Sequence, residues 1–303
     1  MKISIVIPNW NGAEKLQRNL PRVLKATKFS QVEEIIMSDD ASTDDSLKIV
    51  KSQFKEVVVL ESKIERNLGF SSNVDKGVRE AKGDLIVLFN TDAAPSKDFL
   101  KPILSHFDDP KVFSVGCNTG GLWATATFHD GFFWHDQARK TSTCEAKAHI
   151  TLWVSGGSGV FRKSLWDEMG GLDTLYDPFY LEDLDLGYRA WKRGYINLWE
   201  PKSLVEHYKE PGVIETNYSQ KIVSQTAERN LLIFTWKNIT SQKLISDHQK
   251  TLVLRLLKHP GYSKIFLSAL KRLPQILSKR KIEKAQAKLT DEEVFSIFNQ
   301  TQV

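Results

Sequence analysis

Over the first ninety residues, short all-apolar runs alternate with longer amphipathic ones. ISIVI (3–7), the core of EEIIMSDDAS (33–42), VVVL (57–60) and DLIVLF (84–89) have strand length and strand composition. Between them, Leu16, Leu20, Val23 and Leu24 recur at helical spacing from Glu14 to Thr27, and DSLKIVKSQF (45–54) and SSNVDKGVREA (71–81) read as two further helices. Strands alternating with helices predict a mostly parallel sheet with right-handed crossovers. The first, second and fourth strands end in PNWNG, SDDAS and NTDAAP, and parallel strands deliver such ends to one rim. The acids are therefore expected to face one cleft. Taken alone, Asn90-Thr91-Asp92 has two readings: a helix-capping turn, or a ligand site beyond the carboxyl end of a strand.

Beyond Asp92 the pattern loosens. Residues 117–153 are rich in Gly, Trp, Phe and His, as filling for a mixed sheet or as platforms for a sugar ring. A second acidic cluster, Glu182-Asp183-Leu184-Asp185, follows a glycine-rich stretch in which backbone can approach a neighbour closely. Helical spacing puts Glu182 and Asp185 on one face and Asp183 on another, with Arg189, Lys192 and Arg193 near the helix end as complements to its dipole. From Tyr218 onward the chain reads as helical and basic.

Composition narrows the class. At 303 residues, with 41% hydrophobic and 26% charged residues, the chain has ordinary globular proportions. Cys117 and Cys144 supply neither a disulfide framework nor zinc spacing, which fits a reducing interior. Pro8 comes too early for a signal-peptide core, and no run approaches the ~18–20 apolar residues of a membrane span, so a cytoplasmic location is expected. Charge is uneven: residues 1–208 hold 26 Lys and Arg against 29 Asp and Glu, whereas residues 209–303 hold 16 against 8. This argues against a nucleic-acid groove across the main domain. Residues 218–240 read as a segment packed on the domain or forming a homodimer contact. Residues 250–288 read either as a solvated face or as interfacial helices on the inner face of a membrane.

Several chemistries lose ground. The turn after the first strand is PNWNG, not a glycine-rich dinucleotide loop, and neither G-x-x-x-x-G-K-[ST] nor G-x-S-x-G occurs. What remains is an ordered series: IVIPNWN, SDDASTDDS, NLGFS, AKGDLIVLFNTD, SGG…FR, GGLD…YLEDLDLGYR…GY and EHY. Over roughly residues 1–208 this series resembles the family 2 glycosyltransferases, in particular rhamnosyltransferase-like bacterial members.

The resemblance implies an α/β protein of GT-A type with a helical C-terminal extension. The catalytic domain would span 1–215, with a nucleotide-binding half over about 1–95 and an acceptor half over about 96–215, and the basic extension would span 216–303. It implies inverting transfer of a sugar from a UDP- or dTDP-sugar to a glycan or lipid-linked acceptor in surface polysaccharide or glycoconjugate assembly. By position in the motifs, Asp39 would bind the pyrimidine, Pro8 and Asn9 would lie against the nucleoside, and Arg66, Asn67 and Gly69 would close over base and ribose. Asn90-Thr91-Asp92 stands in place of the family's D-x-D, so Asp92 would hold Mg²⁺ or Mn²⁺, and His207 would complete that site. Asp183 would be the catalytic base, with Glu182 facing the acceptor. The chain departs from the pattern at Asn90, which leaves one carboxylate in the motif, and at Asn73 and Asp75, where Gly and Asn are usual. A non-catalytic sugar-nucleotide-binding protein and a nucleotidyltransferase are the competing classes.

Overall fold

The computed structural model describes residues 1–28, 31–138, 147–207 and 212–299; Cys144, Tyr208 and part of the aromatic segment lie outside them. The first half runs β1 (Ile3–Asn9), α1 (Ala13–Thr27), β2 (Val32–Asp39), α2 (Ser46–Gln53), β3 (Val57–Leu60), α3 (Phe70–Glu80), β4 (Leu85–Phe89), β5 (Ala93–Pro95), α4 (Lys101–Leu104) and β6 (Val112–Asn118). A hairpin of β7 (Ala124–His129) and β8 (Phe132–Gln137) follows, then β9 (His149–Ile150), β10 (Ser158–Arg162), α5 (Lys163–Met169), α6 (Glu182–Lys192) and β11 (Ile196–His207). The last helices are α7 (Val213–Asn217), α8 (Gln220–Asn238), α9 (Gln242–Lys258), α10 (Ser263–Leu270), α11 (Leu273–Gln286) and α12 (Asp291–Asn299).

The main sheet has the order β3-β2-β1-β4-β10-β6-β11-β5, with β9 alongside β11. β3, β2, β1 and β4 are parallel, as the alternation of runs predicts, and β6 and β11 continue their direction beyond the antiparallel β10. Both faces of the sheet are covered, which explains why its strands are continuously apolar rather than alternating. Ile3, Ile5 and Ile7 of β1 point to one core with Leu16, Leu20 and Val23 of α1, while Val6 points to a second core with Val74 and Val78 of α3.

A third core joins the β7–β8 hairpin to α6 and the C-terminal helices, with Phe133, Leu184, Tyr188, Leu232, Phe234 and Phe295 among its members. The 218–240 segment is thus packed into the body of the protein: Leu232, Ile233 and Phe234 of α8 are at most 1% exposed. The basic residues of α6 are also buried, not solvated. Arg189 pairs with Asp185 at 2.7 Å, Lys192 with Asp291 at 2.8 Å and Arg193 with Glu283 at 2.9 Å. At the centre of this joint, Lys237 of α8 donates to Asp173 at 2.6 Å and to both Asp185 oxygens at 2.9 Å, and Asn238 donates to Asp185 at 2.6 Å. Burial opposes the charge on Asp185, but Lys237 and Arg189 outweigh it and hold the carboxyl far below its usual range.

Removing one partner of a buried ion pair leaves the other charge stranded, at about 3–5 kcal/mol. Lys237→Ala should therefore lose roughly that much stability in urea unfolding at neutral pH. Lys258→Ala, at an exposed lysine of α9, should stay within about 0.5 kcal/mol of the parent.

Candidate active site

The carboxyl ends of β1, β2 and β4 open on one cleft of about 330 Å³. Its walls include Pro8, Asn9, Asn67, Gly69, Asn90, Asp92 and His207, together with Glu182 and Asp183. Two residues expected at the site do not line it. Arg66 is exposed outside it. Asp39 is 1% exposed, and its carboxylate is occupied by Asn9 Nδ2 at 2.7 Å and by the amide and hydroxyl of Ser42 at 3.0 and 2.6 Å. Its neighbour Asp40 forms part of the wall instead, accepting from the amides of Leu68 and Gly69 at 2.9 and 3.0 Å. The sequence holds both acids side by side, but the strand ends between them, so alternation does not tell which one faces the cleft. Trp10, Phe70, Tyr180 and Tyr218 also line the cleft and were not anticipated.

Asp92 follows β4 at a turn pinned by neighbours. Asn19 donates to the carbonyl of Thr91 at 2.8 Å, and the amide of Asn90 donates to the carbonyl of Gly157 at 3.0 Å. A Cβ on Gly157 would stand 2.5 Å from Asn90 Nδ2, so the glycine-rich stretch does let backbone come close, and what it approaches is this turn. His207 arrives from the far edge of the sheet, where β11 runs antiparallel to β5 and pairs His207 with Ala93. Its Nε2 lies 3.2 Å from Asp92 Oδ1, within ion-pair range but outside hydrogen-bond geometry, and that buried oxygen has no hydrogen-bond partner. Burial pushes the Asp92 carboxyl up, yet His207 and Lys15 more than offset it and leave the group below its ordinary value; the same contact raises His207. Among the described residues no group of three or more His, Cys, Asp and Glu could hold a metal by itself. The open Asp92 oxygen and the adjacent imidazole still fit a hard cation that takes few protein ligands and completes its shell with phosphate and water.

The wall that carries Glu182 and Asp183 is entered through strained backbone. Tyr180 and Leu181 both have φ of 74°, a left-handed conformation unfavourable for side chains other than glycine, and they lead directly into Glu182 and Asp183. The segment is held from behind by α8: Asn230, fully buried, donates through Nδ2 to the carbonyls of Tyr176, Phe179 and Tyr180 at 2.8, 2.9 and 2.8 Å, and Arg229 donates to the carbonyl of Asp177 at 2.9 Å. In front, Asp177 accepts from the Ser71 amide at 3.1 Å and the Ser72 hydroxyl at 2.9 Å at the start of α3. Gly69, with φ of 109°, leaves room for it: a Cβ there would meet Asp177 Oδ1 at 2.5 Å. Glu182 and Asp185 stand three apart in α6 and are both buried, at 6% and 0% exposed. Glu182 and Asp183, the first two residues of α6, line the cleft, while Asp185, one turn on, is 0% exposed in the Lys237 joint.

The two acids are electrostatically distinct. Burial raises Asp183 to about 6, against backbone amides of Leu184 and Gly156 that favour the carboxylate. Glu182 is pushed well above its usual range by burial and by the charge of Asp183, and its Oε2 has no hydrogen-bond partner. The cleft therefore offers one carboxylate beside an imidazole and, on another element, a second carboxylate beside an acid whose protonated form burial favours.

Residues 4–168, more than half of the chain, match the family described as "Glycosyl transferase family 2". A protein of Bacillus subtilis described as "Uncharacterized glycosyltransferase YfnE" is 26% identical over 117 residues, covering 38% of this chain and 30% of that protein's length. The "N-acetylglucosaminyl-diphospho-decaprenol L-rhamnosyltransferase" of Mycobacterium tuberculosis is 23% identical over 242 residues, covering 68% of this chain and 76% of the relative. Among solved structures, GalNAc-T7 with UDP, GalNAc and Mn²⁺ superposes with a TM-score of 0.64 at 16% identity, covering 86% of this chain and 57% of the other. The architecture is the GT-A fold with a helical C-terminal region.

Asn230 does not line the cleft, and its amide holds backbone carbonyls of the strained segment, so its effect is expected to pass through that segment. Asn230→Ala should cut turnover of a nucleotide-sugar by at least about tenfold while donor KM moves less than about threefold, alongside about 1–3 kcal/mol of lost stability for the unsatisfied carbonyls. Steady-state kinetics with thermal unfolding on the same preparation separates the two effects.

Proposed function

Because the chain belongs to glycosyl transferase family 2, we propose that it moves a sugar from a nucleoside diphosphate to a hydroxyl of a glycan or lipid-linked acceptor, with inversion at the anomeric carbon. The observation that carries the reading is that Asp92 with His207, and Glu182 with Asp183, open into the same cleft from different elements. One pair suits a diphosphate and the other a hydroxyl.

In this reaction the acceptor oxygen attacks the anomeric carbon, its proton passes to Asp183, and the bond to the diphosphate oxygen breaks on the opposite face. A base near 6 is mostly ionised at neutral pH and still accepts a proton as attack develops. Glu182, held neutral by burial, keeps a proton to donate to a second acceptor oxygen. Asp92 and His207 would hold the divalent cation, Mg²⁺ or Mn²⁺, whose charge stabilises the departing diphosphate when it is bound. Pro8, Asn9, Asn67 and Gly69 would contact the nucleoside. Asp39 would act by fixing Asn9, and Arg66 could reach the nucleotide only by folding inward. The Mn²⁺ and UDP in the GalNAc-T7 structure, and the lipid-linked acceptor in the name of the mycobacterial relative, support this reading. On the same reading its place is in assembly of a surface polysaccharide or glycoconjugate, with UDP and dTDP as the candidate nucleotides.

A thermal-shift panel of UDP-, dTDP- and GDP-sugars with and without Mn²⁺ should show metal-dependent stabilisation by one of the first two, and Asp92→Ala should abolish the metal-dependent part. Equal stabilisation of parent and variant by Mn²⁺ with donor would remove Asp92 from the metal site. Asp183→Asn should keep that stabilisation yet lose about 10²–10⁴-fold in transfer. Since a base works only when deprotonated, kcat/KM of the parent should be flat above about pH 6 and fall tenfold per pH unit below it. Donor hydrolysis and transfer that are both absent with every sugar would favour a binding protein over an enzyme.

A further inference from the structure

The outer surface of α9, α10 and α11 is unused by the catalytic reading. Residues 250–288 contain eleven Lys and Arg and a single acid, Glu283. That acid is already neutralised by Arg193 at 2.9 Å. Some of the cations turn inward: Arg255 reaches Glu228 at 3.1 Å, Lys279 reaches Asp173 at 2.5 Å and Arg280 donates to the carbonyl of Trp236 at 2.8 Å. Lys258, Lys264, Lys271, Lys281 and Lys284 remain exposed.

Large apolar side chains are exposed among these lysines. On α9, Val253, Leu254 and Leu257 are 55%, 53% and 73% exposed; on α10, Leu267 is 52% exposed; on α11, Leu277 is 51% exposed. Each helix has a buried side as well, at Leu252, Ala269 and Ile276, and α10 and α11 both pack against α8. The exposed leucines are therefore not a misplaced core. Single exposed apolar residues are normal on a soluble surface, but here these five stand between residues 253 and 277 among exposed lysines, the density of an interaction surface.

The charge pattern selects the occupant. A second copy would press two strongly positive surfaces together, and a nucleic acid would meet the lysines but give the leucines nothing to bury against. An anionic bilayer meets both, since headgroups take the ammonium groups and the acyl boundary takes the leucines. No helix among the described residues is long and apolar enough to cross a membrane, so contact through this face would be peripheral. We infer that α9, α10 and α11 form a reversible docking face for an anionic phospholipid surface. The inference rests on this surface alone and is independent of the proposed reaction.

The test is flotation of the full chain with vesicles of phosphatidylglycerol and phosphatidylcholine, compared with vesicles of phosphatidylcholine alone. The protein should float with the mixed vesicles, not with the neutral ones, and raised salt should release it. Lys258→Ala and Lys264→Ala should each weaken partitioning on the order of fivefold, and the Leu254→Ser, Leu257→Ser pair at least as much, with unfolding temperature and donor-induced thermal shift unchanged. No flotation, equal flotation with neutral vesicles, or variants that float like the parent would overturn the inference. So would a dimer in sedimentation analysis that the leucine variants dissolve, or retention on DNA that they leave unaffected.

Discussion

The arrangement depends on one buried polar joint, where Lys237 and Asn238 of α8 meet Asp173 and Asp185 and, two turns earlier on the same helix, Asn230 holds three consecutive-region carbonyls of the 176–180 segment. Backbone at Tyr180 and Leu181 stays left-handed only if its surroundings over-determine it. α8 supplies that determination from behind, and the start of α3 supplies it from the front through Asp177. The acids at 182 and 183 are thus aimed by a helix far away in sequence. Burial raises both acids at the position to which that segment delivers them.

The wall that carries Asp92 and His207 is built in a different way. Asp92 needs only a strand end and a tight turn, and His207 is delivered by an antiparallel edge pairing with the residue next to it. These are local and sheet-determined features, made close by Gly157. One wall of the cleft is therefore rigid scaffold, and the other is a strained segment held in place by tertiary contacts. A reaction that fixes a diphosphate and then admits a variable acceptor suits that asymmetry.

This difference also governs what could be read from the chain. The elements from β1 to β4 were legible because runs of strand length and helical stripes repeat cleanly, and the rim of polar strand ends followed from parallel topology. Asp92 and His207 were legible as residues through family motifs, and their contact required the β5–β11 pairing that no local pattern carries. The orientation of Asp39 and Asp40 was hidden because the strand stops between them. Which of Glu182, Asp183 and Asp185 lines the cleft was not legible, because helical spacing gives the relative directions of the side chains and not what each is packed against. The buried pairing of Lys192 and Arg193 was also hidden, since their partners, Asp291 and Glu283, lie in a region whose composition reads as a basic tail.

The family match ends at residue 168, before the strained segment begins. The part of the chain that is most recognisable is consequently half of a working cleft, and α8 is the back of the other half. For anyone recombining this protein with its relatives, the natural seam is not the boundary of the recognisable region: Asp173, the acids of α6 and the whole of α8 form one inheritable block that must travel together.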